Sequence, residues 1–136
     1  MDVEKIFRQS PLLREISMDT ILFESNYPIL FTCTQGQNAY LFSCCLVNAS
    51  AIKWIGTETD YQLLIELLEN RITIREVLLH AKEEKLFVQY DGKQVWVEFL
   101  DKEQIPHELL PTTGEYMNVE DDEFLEEITY FKKKVS

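Results

Sequence analysis

Apolar and polar residues alternate along most of the first hundred positions, a period of two that is typical of strands with one buried face. Short stretches rich in Asn, Pro, Gly or Ser interrupt the alternation and divide it into segments. Strands are predicted on this basis at 16–23, 29–34, 40–47, 51–56, 86–90 and 94–99.

Two of the breaks have the composition of hairpin loops. The polar stretch 35–38 contains Gly36 and predicts a four-residue loop between the second and third strands. Asp91-Gly92 lies between the fifth and sixth strands, and an Asp-Gly pair supplies the positive φ angles of a two-residue primed turn. We therefore predict a second hairpin with a tight turn at Asp91-Gly92.

The period changes from two to that of a helix after residue 58. Thr59 and Gln62 have the spacing of a capping box, as do Thr73 and Glu76, and leucines or valine follow each pair at helical spacing. Farther on, acids begin a helical pattern and three lysines end it, an order that suits the helix dipole. Helices are predicted at 59–68, 73–80 and 120–131.

These elements predict one α+β domain over residues 1–136, a length that suits a single core. We expect a mostly antiparallel β-sheet of about five or six strands with two short helices on one face. Residues 101–136 form an acidic C-terminal segment of the same domain, partly helical.

Acidic residues dominate the charge of the chain, with a formal net charge of −11 and a pI near 4.6. Residues 1–97 carry a net −4 and residues 98–136 a net −7, so the excess gathers near the C-terminus. An acidic chain is a poor ligand for nucleic-acid phosphates or an anionic membrane surface. It favours a basic protein partner.

The residues that most often carry catalysis are few, and their spacing matches no catalytic motif. His80 and His107 are the only histidines, while Cys33, Cys44 and Cys45 lie in predicted strands, where buried and inert thiols are expected. Paired zinc-ligand spacings and a glycine-rich phosphate loop are both absent. The sequence predicts no catalytic residue, no metal site and no cofactor.

The chain also lacks the features that direct a protein out of the cytoplasm. An odd number of cysteines without a disulfide framework indicates a reducing compartment. The first residues do not form a signal peptide, and no apolar stretch has the length of a membrane span. We expect a cytoplasmic protein.

Aromatic residues accompany the acids of the C-terminal third, and exposed aromatics beside a charged rim are typical of protein interfaces. The acidic run 120–123 has oxygen ligands suited to a hard cation, but it lacks the pattern of a calcium loop, and a solvated helix start is the favoured interpretation. The predicted partner-binding residues are Glu115, Tyr116, Glu120, Asp121, Asp122, Glu123, Phe124, Glu127, Tyr130 and Phe131.

Two segments carry a resemblance to a known group. A Leu67-Leu68 pair precedes a short turn and the helix start Ile72-Thr73-Ile74-Arg75-Glu76, and a later element reads Leu-Pro-Thr-Thr-Gly-Glu-Tyr from Leu110. This order resembles a family of small uncharacterised bacterial proteins, over about half of the chain. The resemblance implies a fold pattern and no catalytic residues.

These observations favour a non-catalytic protein of inhibitor or immunity type that presents an acidic surface to a basic partner, such as a nuclease or another nucleic-acid-binding protein in bacterial conflict or phage defence. The first alternative is an accessory subunit of a larger bacterial complex, with an apolar interface. The second is a small enzyme that uses His80 or His107. Oligomeric state and strand order do not follow from the sequence.

Overall fold

A computed structural model describes residues 1–80, 84–111, 114–117 and 123–135 and contains one six-stranded antiparallel sheet. Each strand pairs with the next one along the chain, so β1 and β6 form the two edges. The predicted α+β fold with an antiparallel sheet is confirmed. The strands are β1 Ser17–Glu24, β2 Pro28–Gln35, β3 Asn38–Val47, β4 Ile52–Thr59, β5 Glu84–Tyr90 and β6 Val95–Asp101.

Four α-helices accompany the sheet in the described residues, with two single-turn 3-10 helices between β6 and the last of them. None of these helices is long and apolar enough to cross a membrane. The helices are α1 Val3–Phe7, α2 Tyr61–Leu68, α3 Ile74–Leu78 and α4 Leu125–Val135, and the 3-10 turns are Lys102–Gln104 and His107–Leu109.

The two faces of the sheet bury separate clusters of side chains. On the first, here called the three-helix face, α2, α3 and α4 pack over residues such as Leu30, Leu41 and Ile55. On the second, the α1 face, α1 and the loop that follows it pack over residues such as Phe42 and Trp54. The predicted pair of helices on one face is present, and α4 joins them there.

Helix α1 was not predicted, because it is only five residues long and precedes the first clear alternation. Asp2 caps it by accepting a hydrogen bond from the Lys5 N–H at 3.1 Å. Val3, Ile6 and Phe7 have helical spacing and are buried against the sheet. This short amphipathic turn therefore covers part of a face that the sequence left without a helix.

Three local details differ from the sequence predictions. Asp60, not Thr59, caps α2 by accepting the Leu63 N–H at 2.8 Å, since Thr59 still belongs to β4. The first hairpin has a two-residue turn, because Gln35 pairs with Asn38 and Gly36 supplies a φ of 62°.

The second hairpin is confirmed, but its loop is four residues long, with Tyr90 paired to Val95. The Asp91 side chain accepts hydrogen bonds from the N–H groups of Lys93 and Gln94, each at 2.8 Å. These bonds, which also lower the pKa of Asp91, stabilise a longer loop than the Asp-Gly pair alone predicts.

One row of side chains fixes the register of the α1 face. Phe31 stacks on Phe42 with 5.4 Å between ring centroids and 8° between ring planes, and Phe42 pairs with Gly56. A Cβ at Gly56 would lie within 2.7 Å of the Phe42 ring atom Cζ, so only glycine leaves room for the ring. The same row continues through Leu86 to Phe99 on the edge strand.

We predict that Gly56→Ala destabilises the protein by about 1–3 kcal/mol, because the added methyl group overlaps the Phe42 ring. Urea unfolding measures the change. In a Phe42→Leu background, where the ring is gone, the same substitution should cost much less. Equal costs in the two backgrounds would show that the ring is not the obstacle.

Candidate functional site

The C-terminal residues predicted to bind a partner divide between core and surface. Phe124 and Phe131 are buried, at 6% and 0% exposure, and pack against Phe23 and Tyr61 with ring centroids 5.9 and 5.4 Å apart. These two residues are therefore corrected from surface anchors to core residues, because α4 needs an apolar face to dock on the sheet.

The remaining predicted residues are on the surface or outside the described residues. Glu115, Tyr116, Glu123 and Tyr130 are exposed, and Glu127 is half-buried. Glu120, Asp121 and Asp122 lie outside the described residues. The C-terminal segment is thus an integrated part of the fold at α4, and only its outer side is available to a partner.

A carboxylate on β1 anchors α4 to the sheet. Asp19 lies at a β-bulge between Met18 and Thr20, and its side chain accepts hydrogen bonds from Tyr130 at 2.7 Å and Tyr61 at 3.3 Å. The hydrogen bond from Tyr130 is the main cause that raises the pKa of this phenol to about 12. Burial, followed by the charge of Asp19, raises the pKa of Tyr61 to about 12.

An open polar groove of about 500 Å³ lies beside this cluster and is also lined by Thr34 and Lys134. The Lys134 ammonium stands 5.2 Å from the centre of the Tyr130 ring. Both phenols direct their hydroxyl groups to Asp19, so the hydrogen-bonding capacity of the cluster is used within the fold. We assign it a structural function, the attachment of α4 to β1.

A second surface lies at the opposite edge of the sheet and combines carboxylates with apolar side chains. Glu84 on β5 stands directly opposite Asp101 on β6, both on the α1 face and both exposed. Extending the β4–β5 register by two pairs of residues beyond Gly56 and Leu86 places Glu58 beside Glu84, and both residues line the same groove. Three carboxylates thus follow one another across three neighbouring strands.

The next row of the same face is apolar and forms the floor of a groove. Gly56, Leu86 and Phe99 occupy it, and Leu12 and Ile16 of the loop after α1 form the opposite wall. The groove has a volume of about 480 Å³. The Phe99 side chain lines this groove together with Leu12 and is 52% exposed.

The other face of the same edge also exposes an aromatic side chain. Trp96 is 48% exposed and lines an open groove of about 360 Å³ with Phe87, Gln89 and Glu98. Strand β6 therefore presents one large apolar side chain and one carboxylate on each face. We define the β6 surface as Glu84, Trp96, Glu98, Phe99 and Asp101.

The two histidines lie apart from this surface, and neither lines one of the grooves just described. His80 is exposed, and its backbone carbonyl accepts a hydrogen bond from Lys85 at 3.3 Å. His107 is also exposed, and its Nδ1 is 2.6 Å from the Arg75 guanidinium. Because a guanidinium can only donate, Nδ1 is the acceptor in this bond.

The cysteines have the environment expected of inert thiols. Cys33 is buried, while Cys44 and Cys45 are half-buried on opposite faces of the sheet, as predicted. Burial raises the pKa of all three, to about 12 for Cys45. A thiol that stays protonated near neutral pH is a poor nucleophile.

Lys85 is a buried charged residue that the sequence pattern did not indicate. Its side chain is almost fully enclosed on the three-helix face and donates to Thr57 Oγ1 at 2.8 Å as well as to the carbonyl of His80. These bonds join β5 to β4 and to the end of α3. The hydrogen bonds of Lys85 therefore help to hold the sheet and α3 together.

No group of three or more histidine, cysteine or acidic side chains in the described residues is arranged to hold a metal ion. Comparison with protein-family models, with curated proteins and with solved structures finds no match to this chain. The β6 surface is therefore proposed as a candidate binding site from the arrangement of its residues alone.

Sequence reasoning missed this surface although its residues were visible in the chain. Trp96 and Phe99 occur in the strongly apolar predicted strand 94–99, and the local pattern does not indicate that either side chain is exposed. Their exposure follows from strand order, since β6 is an edge strand with a neighbouring strand on one side only. The one indication of exposure in the sequence is the presence of Glu98 and Asp101 close to these aromatic residues.

We predict that two of the six tyrosines titrate near pH 12 and that Asp19→Asn lowers both values toward 10, most strongly for Tyr130. Because these folded-state values exceed the unfolded value near 10, the Asp19 bonds stabilise the fold below about pH 10 and are lost as the pH rises to about 12. Tyrosinate absorbance during an alkaline titration measures this, with Tyr61→Phe and Tyr130→Phe as assignments. An unchanged titration in Asp19→Asn would contradict the assigned contacts.

Proposed function

We propose that this protein is a non-catalytic binding protein of inhibitor or immunity type, and that the β6 surface receives a basic protein partner. The observation that carries the proposal is the exposed pair Glu84 and Asp101, which face each other beside the exposed ring of Phe99. An apolar anchor with a charged rim is the usual composition of a protein interface.

The charge arrangement of this surface favours a cation from outside the chain. Like charges that stand directly opposite each other on neighbouring strands destabilise a sheet. A lysine or arginine of a partner that binds between Glu84 and Asp101 replaces this repulsion with attraction to both carboxylates. The net charge of −11 also attracts a basic partner over a longer range and raises the rate of association.

The chemical class of partner follows from the same charges. Proteins that bind nucleic acid carry clustered lysine and arginine residues on one face. A nuclease or another nucleic-acid-binding protein therefore fits the β6 surface, and covering its basic face would block its access to phosphates. An accessory subunit of a larger complex remains the alternative, favoured by the exposed Trp96 and Phe99, and it differs in requiring little salt dependence.

We predict that the double substitution Glu84→Lys and Asp101→Lys weakens partner binding by at least about tenfold, because cations then oppose cations. The partners to test are purified basic proteins encoded beside the gene, and affinity is measured by calorimetry at low and high salt. Raising the salt should weaken binding to the unsubstituted protein and have a smaller effect on the variant.

The matched control is Glu24→Lys with Glu126→Lys, which makes the same change in net charge at two exposed sites away from β6. This control should retain most of the affinity. Equal losses in the two double variants would show that net charge alone attracts the partner. Binding that is insensitive to salt and to both reversals would favour the accessory-subunit alternative.

A further inference from the structure

The hydrogen-bond pattern of the β5–β6 hairpin identifies which backbone groups of β6 face away from the sheet. The Asp91 N–H donates to the Gln94 carbonyl at 3.2 Å, so this pair is a hydrogen-bonded one. Such pairs alternate with non-hydrogen-bonded pairs along an antiparallel ladder, and the β5–β6 register has no shift. The residues of β6 whose N–H and C=O groups point outward are therefore Val95, Val97, Phe99 and Asp101.

One of these outward groups already has a partner, which supports the assignment. The Asp101 N–H donates to Oε1 of Gln104 at 2.9 Å, as expected of a group that β5 does not bind. No bond among the described residues reaches the outward N–H of Val95, Val97 or Phe99. The open part of the edge thus runs from Val95 to Phe99.

The opposite edge of the sheet shows how this protein closes an edge that it does not use. Strand β1 has three register shifts against β2, and its Asp19 is bonded to Tyr130 of α4. Bulges and packed helices are standard protections against pairing with another chain. Strand β6 contains no proline or lysine, its register against β5 has no shift, and within the part of the chain that the structure describes no helix packs along its outer edge.

The geometry points to strand addition at β6: an extended segment of the basic partner pairs with the open edge from Val95 to Phe99, and its end reaches the side chain of Asp101. This inference rests on the proposed function and states how the partner is held. Main-chain hydrogen bonds supply affinity in this mode, and pockets for alternate side chains supply specificity.

The side chains of β6 define the segment that fits. On the α1 face, Val97 and Phe99 require apolar neighbours, and Asp101 requires a cation. On the three-helix face, Glu98 requires a cation and Leu100 an apolar neighbour. In the order opposite Val97 to Asp101, the segment is apolar, basic, apolar, apolar, basic.

A second copy of this chain is the other candidate occupant of an open edge, and charge disfavours it. Each copy has a net charge of −11, and pairing two β6 strands would place the acids Glu98 and Asp101 of both copies along one shared edge. A basic segment meets the same acids with the opposite sign. The charges therefore select a basic partner over self-association.

The test uses the full chain and a short synthetic peptide with valine, lysine, isoleucine, valine and lysine at the positions opposite Val97 to Asp101, followed by fluorescence anisotropy. Val97→Pro removes an outward N–H without removing a bond to β5, so it blocks added pairing and leaves the sheet intact. Val97→Ala removes the same side chain and keeps the N–H. We expect Val97→Pro to lose at least about tenfold in affinity relative to Val97→Ala at similar thermal stability.

Other outcomes overturn strand addition and separate it from the proposed function. If Val97→Pro and Val97→Ala bind equally well, strand addition is rejected. If binding is also lost in the double variant Glu84→Lys with Asp101→Lys, the acidic surface remains supported as the binding site. Equal binding by all variants, or by a peptide with glutamate in place of lysine, rejects both. A dimer in sedimentation that Val97→Pro dissolves would assign the edge to a second copy.

Discussion

The packing of the Phe42 ring over Gly56 is the constraint on which the α1 face depends. A strand that slips by one residue turns every side chain to the other face. Gly56 is the position at which β4 has no side chain, so the ring fits only in the observed register. From this register follow the apolar row that ends at Phe99 and the neighbouring row that contains Glu84 and Asp101.

The same row explains where the core ends and the exposed surface begins. Phe7 of α1 packs on Phe42 and Trp54, with ring centroids 5.2 and 5.8 Å apart, and so covers the centre of the sheet. At the other end of the row, Phe99 on the edge strand β6 is 52% exposed. Phe99 therefore belongs to the same row of side chains as the buried Phe42 but remains exposed. The fold itself thus places an exposed apolar side chain beside acids.

Local periodicity predicted most of the fold, because alternation and capping residues act over a few positions. The six strands, the Thr73–Glu76 capping box and the end of α2 at Leu68 are all confirmed. The candidate surface could not be predicted in the same way. Whether Trp96 or Phe131 is exposed depends on strand order and helix docking, which join residues far apart in the chain: Tyr130 meets Asp19, and Phe131 becomes fully buried.

The two edges of the sheet differ in their protection: β1 is closed by bulges and α4, while β6 is the edge at which we propose that a basic segment pairs. Residue-resolved amide hydrogen exchange, with and without the lysine–valine peptide, tests this most directly. In the free protein, Trp96, Glu98 and Leu100 should be protected, and Val95, Val97 and Phe99 should exchange rapidly. The peptide should protect Val97 and Phe99 and leave β1 and α4 unchanged. Slow exchange at Val97 and Phe99 in the free protein, or new protection confined to β1 and α4, would contradict the account.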